Sequence, residues 1–259
     1  MAQLFHRSAN SLARMSLVAL LFIAGSVGLV LAQLQRSSYV TRQYEPRVQT
    51  PPFSHQHHVG GLGIDCRYCH TSVENSSFAG IPPTKTCMNC HAQIWTSAEM
   101  LAPVRESYRS GTSLTWVRVH DLPDFVYFDH SIHISKGIGC QSCHGQVDNM
   151  PLMLQQNSLQ MEWCLDCHRN PAKFIRPRTT QVDVVADKSG NIVDQGRTKD
   201  DTIFDMKYQQ PGHDVTVYAK LADGKVWTFK NQMTMGKKLM DEYHVRNVKD
   251  ITSCNTCHR

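Results

Sequence analysis

Every cysteine in this chain falls into one spacing. Cys66-Arg67-Tyr68-Cys69-His70, Cys87-Met88-Asn89-Cys90-His91, Cys140-Gln141-Ser142-Cys143-His144, Cys164-Leu165-Asp166-Cys167-His168 and Cys254-Asn255-Thr256-Cys257-His258 account for all ten. Residues at i and i+3 lie on one face of a helical turn. Two sulfurs so placed can each form a thioether to a vinyl group of one porphyrin, and the next residue, His, points its imidazole at the iron. The pattern therefore implies five covalently bound haem c groups, with His70, His91, His144, His168 and His258 as proximal iron ligands. Zinc does not explain it, because zinc sites pair two Cys-x-x-Cys knuckles and have no need of a His after each. A disulfide framework does not need those histidines either.

The second axial ligands decide what such irons do, since a filled site moves electrons and an open one can bind a substrate. A duplicated segment supplies candidates. Phe53-Ser54-His55-x-x-His58 precedes the first motif and Phe128-Asp129-His130-x-x-His133 the third; both continue into Gly61-Leu62-Gly63 or Gly137-Ile138-Gly139. Two His three apart just upstream of a motif can reach two different irons, so His55, His58, His130 and His133 are expected as distal ligands. His57 has no counterpart in the second copy, where Ile132 stands, and reads as a bystander. For the remaining iron His120 is the first candidate. Met150, Met153 and Met161, between the third and fourth motifs, are the alternative, although a lone Met is usually core filler. Met233, Met235, Met240, His213 and His244 are weaker candidates near the fifth motif.

These sites need elements to hold them. Residues 15–35 contain no charge and are apolar on all sides, close to the roughly 20 residues of a spanning helix. Arg7 and Arg14 precede the segment, which places residues 1–14 in the cytoplasm and everything after Arg36 outside. That is the side of the membrane on which bacteria attach haem c. Val30-Leu31-Ala32 also resembles a signal-peptide cleavage site, which keeps a cleaved leader as the alternative.

Residues 36–52 form a polar, proline-containing linker, 53–91 a first dihaem module, 92–127 a connector and 128–170 a second dihaem module. Residues 171–243 differ in character. Val182-Asp183-Val184-Val185, the Ser189-Gly190-Asn191 turn and the stretch from 213 to 229 broken at Asp223-Gly224 suggest short β-hairpins. Residues 244–259 carry the fifth motif. The fold class expected is a mostly irregular and α-helical multihaem cytochrome c, with short helices packed around five haems, one N-terminal transmembrane helix and a small β-hairpin insertion before the last haem.

Composition is consistent with a chain that folds around cofactor. Hydrophobic residues make up only 41 % of 259, and porphyrin rings would add the apolar surface the side chains lack. A formal charge of +5 is too mild and dispersed to suggest nucleic acid, and haem propionates would offset it. No phosphate-binding loop, nucleotide fold or nucleophilic triad is present in the sequence.

Four stretches together resemble a known family: 53–70, 87–95 from Cys87 to Trp95, 122–130 from Leu122 to His130, and 161–169 from Met161 to Arg169. They are similar to the pentahaem cytochrome c subunit of bacterial alternative complex III, over about residues 10–170 and the C-terminal motif. The resemblance implies a subunit of a quinol-oxidising membrane complex that relays electrons from an iron–sulfur subunit to a monohaem cytochrome c or a periplasmic acceptor. Polytopic subunits would bind the quinol. Single pieces, such as Leu122-Pro123-Asp124-Phe125-Val126, occur in other small multihaem cytochromes. Two other functions stay open: a tetrahaem-type membrane quinol dehydrogenase, and a multihaem reductase of a small oxyanion, which would need an open iron with proton donors nearby.

Overall fold

The computed structural model describes residues 5–178, 181–186, 192–199, 202–212 and 215–258. The expected Ser189-Gly190-Asn191 turn and His213 lie outside the described residues.

An apolar helix, α1 (Ala9–Arg36), opens the chain; it is 28 residues long, buries no side chain and is apolar enough to cross a membrane. At about 1.5 Å per residue it exceeds the roughly 30 Å hydrocarbon core of a bilayer. It begins six residues earlier than the charge-free stretch and runs one residue past it, because nothing between 9 and 15 breaks a helix. Ser37 turns extended and ends it, its Oγ donating to the Leu34 carbonyl at 2.6 Å. A short turn, α2 (Ser38–Thr41), follows.

The linker does not float free. Tyr44 and Arg47 donate backbone hydrogen bonds to the carbonyls of Gln155 and Met153 at 2.8 and 3.0 Å, and Gln155 Nε2 donates to the Thr41 carbonyl at 3.0 Å. The segment after α1 is thus laid along the strand-like stretch that leads into the fourth motif.

Each motif forms a short helical turn: α3 (Cys66–Cys69), α4 (Thr84–His91), α7 (Cys140–His144), α8 (Met161–Arg169) and α11 (Cys254–Cys257). The two duplicated segments fold differently in detail. The first is a π-helical turn over Gln56–Gly61 and the second is α6 (His130–Ser135), whose Asp129 side chain accepts the backbone N–H groups of Ser131 and Ile132. The connector carries α5 (Ala102–Ser110), and α10 (Val248–Ile251) precedes the last motif.

The insertion is one antiparallel sheet of four strands, β1 (Gln181–Ala186), β2 (Ile192–Lys199), β3 (Val215–Lys220) and β4 (Val226–Phe229), in the order β2-β1-β3-β4. Its two hairpins are those the alternation and the Asp223-Gly224 turn suggest. Helix α9 (Gln232–Glu242) packs on it, and Val217, Ala219, Phe229, Met235 and Leu239 join Ile175 and Tyr208 in the main apolar core. A Cβ at Gly236 would overlap the Ala172 carbonyl, so only Gly lets α9 lie this close to the turn at Pro171–Lys173. A second, smaller core of Val73, Ile134, Ile203 and Phe204 touches Cys66 and Cys140 and ties the first motif to the third. The buried Arg176 guanidinium stands over the Tyr208 ring at 4.5 Å and donates to the carbonyls of Thr202 and Asp205 and to Gln141 Oε1, holding the insertion against α7.

Candidate functional site

The duplicated segments build the same local device twice. Phe53 stacks on His58 with ring centres 4.5 Å apart at 20° and meets His55 edge-on at 4.9 Å and 85°. Phe128 repeats this with His133 at 4.5 Å and 24° and with His130 at 4.8 Å and 88°. His58 and His133 also place Nδ1 2.8 and 2.7 Å from the carbonyl oxygens of Ser54 and Asp129, four residues earlier. One aromatic ring and one carbonyl thus fix each second His.

Three of these rings stand near a motif histidine. The centres of His58 and His91 are 6.2 Å apart, those of His133 and His168 6.1 Å, and those of His130 and His144 6.4 Å with the planes only 4° from parallel. Two imidazoles bound to opposite sides of one metal, with metal–nitrogen bonds of about 2 Å, have centres roughly 6 Å apart. His55 lies beside His70, and burial first, then the His70 and His58 imidazoles, hold its pKa at about 4. The geometry brings the second His of each duplicated segment to the second motif after it, His58 to His91 and His133 to His168, and brings His130 to the next motif at His144.

The other ring nitrogen sets the tautomer. Nδ1 of His70, His91, His168 and His258 lies 2.7, 3.1, 2.7 and 3.1 Å from the carbonyls of Gly80, Ile94, Ile251 and Phe125, and Nδ1 of His130 lies 2.8 Å from that of Ser77. A carbonyl only accepts, so each Nδ1 carries the proton and Nε2 keeps its lone pair for a metal. Gly80 reaches its position with φ +85°, and a Cβ there would press on Ser72 Oγ at 2.8 Å. Burial pushes the pKa of His133 down and that of His144 down to about 3, which favours the neutral imidazole that ligation requires. The site residues therefore fit haem c: paired sulfurs on helical turns, an imidazole at each turn's end, and a second oriented imidazole opposite. The apolar side chains Phe78, Ile81, Ile94, Trp95 and Phe125 are exposed near the motifs in sequence, apolar surface of the kind a bound porphyrin would need.

Burial also raises the thiol pKa values of Cys140, Cys143 and Cys167 to about 12, 11 and 12, the reverse of an activated nucleophile.

The motifs follow one another in space in the order second, first, third, fourth, fifth. Asn89 donates to the Tyr68 hydroxyl at 3.0 Å, linking second and first. Cys66 and Cys140 share the smaller core, linking first and third. Asn157 Nδ2, just ahead of α8, donates to the Cys143 carbonyl at 2.7 Å, linking third and fourth, and His168 with Ile251 links fourth and fifth. The fourth motif is also beside the end of α1: Arg36 pairs with Glu162 at 3.2 Å and Gln160 Nε2 donates to the Gln35 carbonyl at 2.7 Å.

The remaining candidates sit elsewhere. His120 is placed against His144, with Nε2 3.3 Å from His144 Nδ1. His57 stacks on Trp95 at 5.8 Å. Met150 is buried, its carbonyl accepting from Gln56 N–H; Met153 binds the linker through its carbonyl; Met161 is exposed at the first turn of α8. Met235 is fully buried in the main core, and Met240 packs against the same core. Around His258 the ring neighbour is Phe125, at 5.8 Å; among the described residues no second imidazole stands opposite it. The backbone carbonyls that orient the rings were invisible to sequence reasoning. The two phenylalanines were visible, at fixed distances from their histidines, and could have been read as ring supports.

Two comparisons agree with this chemistry. Residues 126–191 match the family model described as cytochrome c7 and related cytochrome c. The chain is 37 % identical over 102 residues to the menaquinone reductase, multiheme cytochrome c subunit, of Nitratidesulfovibrio vulgaris Hildenborough. The match covers 39 % of this chain and 48 % of that protein, so it spans about half of the relative's length. In its Cys-x-x-Cys-His turns and oriented imidazoles, and over the stretches matched, the chain is similar to multihaem cytochromes c.

Proposed function

We propose that this chain is a membrane-anchored pentahaem c-type cytochrome that relays electrons and performs no substrate chemistry. The observation that carries the reading is the set of opposed imidazoles, His58 with His91, His130 with His144 and His133 with His168; His55, which the duplication makes the counterpart of His130, is read as the partner of His70 by that analogy. Irons closed on both faces exchange electrons and leave no position for a substrate. Helix α1 anchors the chain with its N-terminus in the cytoplasm and the haem domain in the periplasm. The partners follow from the family resemblance: polytopic quinol-binding subunits, an iron–sulfur subunit that supplies electrons, and a monohaem cytochrome c or other periplasmic acceptor that takes them. The whole would be a quinol-oxidising complex of the alternative complex III kind.

The likeness to a menaquinone reductase subunit favours a second reading, in which electrons run the other way along the same motifs to a quinone. The relay itself is indifferent to direction, which the potentials of the partners set. Purification in mild detergent, followed by haem-stained gels and mass spectrometry, tests the proposal. A membrane complex with iron–sulfur and polytopic subunits and a five-haem chain retaining residues 15–35 is expected. A chain purified alone with the first motif's haem reducible directly by quinol would instead support a tetrahaem-type quinol dehydrogenase. Nitrite or hydroxylamine reduction would support an oxyanion reductase.

A further inference from the structure

We infer that His120 is not an iron ligand but the hydrogen-bond acceptor that tunes the third motif's proximal His144. The inference rests on the haem-relay reading above. Four of the five motif histidines give Nδ1 to a backbone carbonyl, those of Gly80, Ile94, Ile251 and Phe125. His144 has a side chain there, His120 Nε2 at 3.3 Å.

The geometry separates this role from axial ligation. The rings of His120 and His144 are 4.4 Å apart at 80°, an edge-on contact. That separation leaves no room for a metal with two bonds of about 2 Å between the rings. His130, parallel to His144 at 6.4 Å, has the spacing of a partner across a metal. A His144 that offers Nε2 to iron as a neutral ligand keeps its proton on Nδ1, so it donates and His120 Nε2 accepts. His120 then carries its own proton on Nδ1.

An imidazole nitrogen is a more basic acceptor than a peptide carbonyl, since imidazole protonates near pH 6.5 whereas an amide oxygen does not protonate in the titrating range of side chains. The bond therefore draws the Nδ1 proton further from His144 than a carbonyl would and makes His144 a stronger electron donor to its metal, which favours the ferric state. His120 thus lowers the third haem's potential at the middle of the spatial order. It is a positioning and tuning residue, with no contact to the iron.

The test is a spectropotentiometric titration of the purified holoprotein and its His120→Phe and His120→Asn variants, after haem content has been measured for each. His120→Phe keeps a flat ring and removes the acceptor; His120→Asn keeps an acceptor of carbonyl strength. The expected result is that both variants stay low-spin and that one haem titrates at a higher potential in His120→Phe, by about tenfold in its Fe(III)/Fe(II) equilibrium, or about 59 mV for one electron. His120→Asn should lie between that variant and the parent. Unchanged potentials in both variants would overturn the inference, and so would a new high-spin haem that binds carbon monoxide, which would make His120 an axial ligand. A parent protein with fewer than five haems would count against the relay reading instead and is detected beforehand by the haem content.

Discussion

His58 and His133 owe their orientation to one phenyl ring each, and this is where the site is most sensitive to single changes. Phe128 covers the face of His133 at 4.5 Å while presenting its edge to His130. Aromatic pairs of this kind contribute about 0.5–1.5 kcal/mol beyond area burial. Phe128→Leu should therefore destabilise the holoprotein by about 1 kcal/mol, seen as a lower midpoint in a thermal melt followed at the Soret band, with haem content unchanged. His133→Ala should open one iron, the fourth motif's, giving one high-spin haem that binds one carbon monoxide per chain when reduced. Carbon monoxide uptake unchanged from the parent would show that His133 does not face an iron. Of this residue-scale picture, the five motif histidines and the duplicated His55, His58, His130 and His133 were legible from spacing and repetition as candidates for iron ligation. The pairing was not, because which iron a histidine reaches depends on how the chain folds back. His120 shows the limit: its residue type suggests a ligand, and spacing alone gives no sign of its 3.3 Å contact with His144 Nδ1.

At the scale of elements, the insertion and the motif-bearing turns meet at a few tight points. Helix α9 approaches the Pro171–Lys173 turn across Gly236, where no Cβ fits, and Gln232 Nε2 donates to the carbonyls of Ala172 and Ile175 at 3.0 and 2.9 Å beside it. Gly236→Ala should cost roughly 1–3 kcal/mol through overpacking, more than the small gain in helix propensity returns, and should shift a denaturant midpoint without changing haem number. The Arg36–Glu162 pair is a different case. Both side chains are more than half exposed, so Glu162→Gln should change stability by less than about 1 kcal/mol. Sequence patterns located α1, the motif turns and the two hairpins because these follow local rules of length, spacing and alternation. They did not reveal that the linker runs along residues 153–156, since that pairing combines backbone groups any residue would supply with the Gln43 and Gln155 side-chain amides, whose partners lie more than a hundred residues away.

The whole molecule is a line of motifs with its fourth member next to the end of the apolar helix. Chain order would put the first motif nearest a membrane, about thirty residues past the anchor. Folding instead brings Gln160 and Glu162, at the start of α8, to Gln35 and Arg36. Because α1 buries none of its side chains and meets the rest of the chain through such surface contacts, removing residues 1–36 should leave a soluble chain of unchanged haem content. Gel filtration with haem quantification checks this; aggregation or haem loss would mean that α1 supports the fold. In the proposed relay, function at this scale comes from four irons closed by paired imidazoles, and that proposal has a direct spectroscopic measure. Near-infrared magnetic circular dichroism of the oxidised protein, scaled by the haem number from intact mass, counts histidine–histidine haems against all others. The account predicts four or more such haems in a five-haem chain. Fewer than four would contradict it.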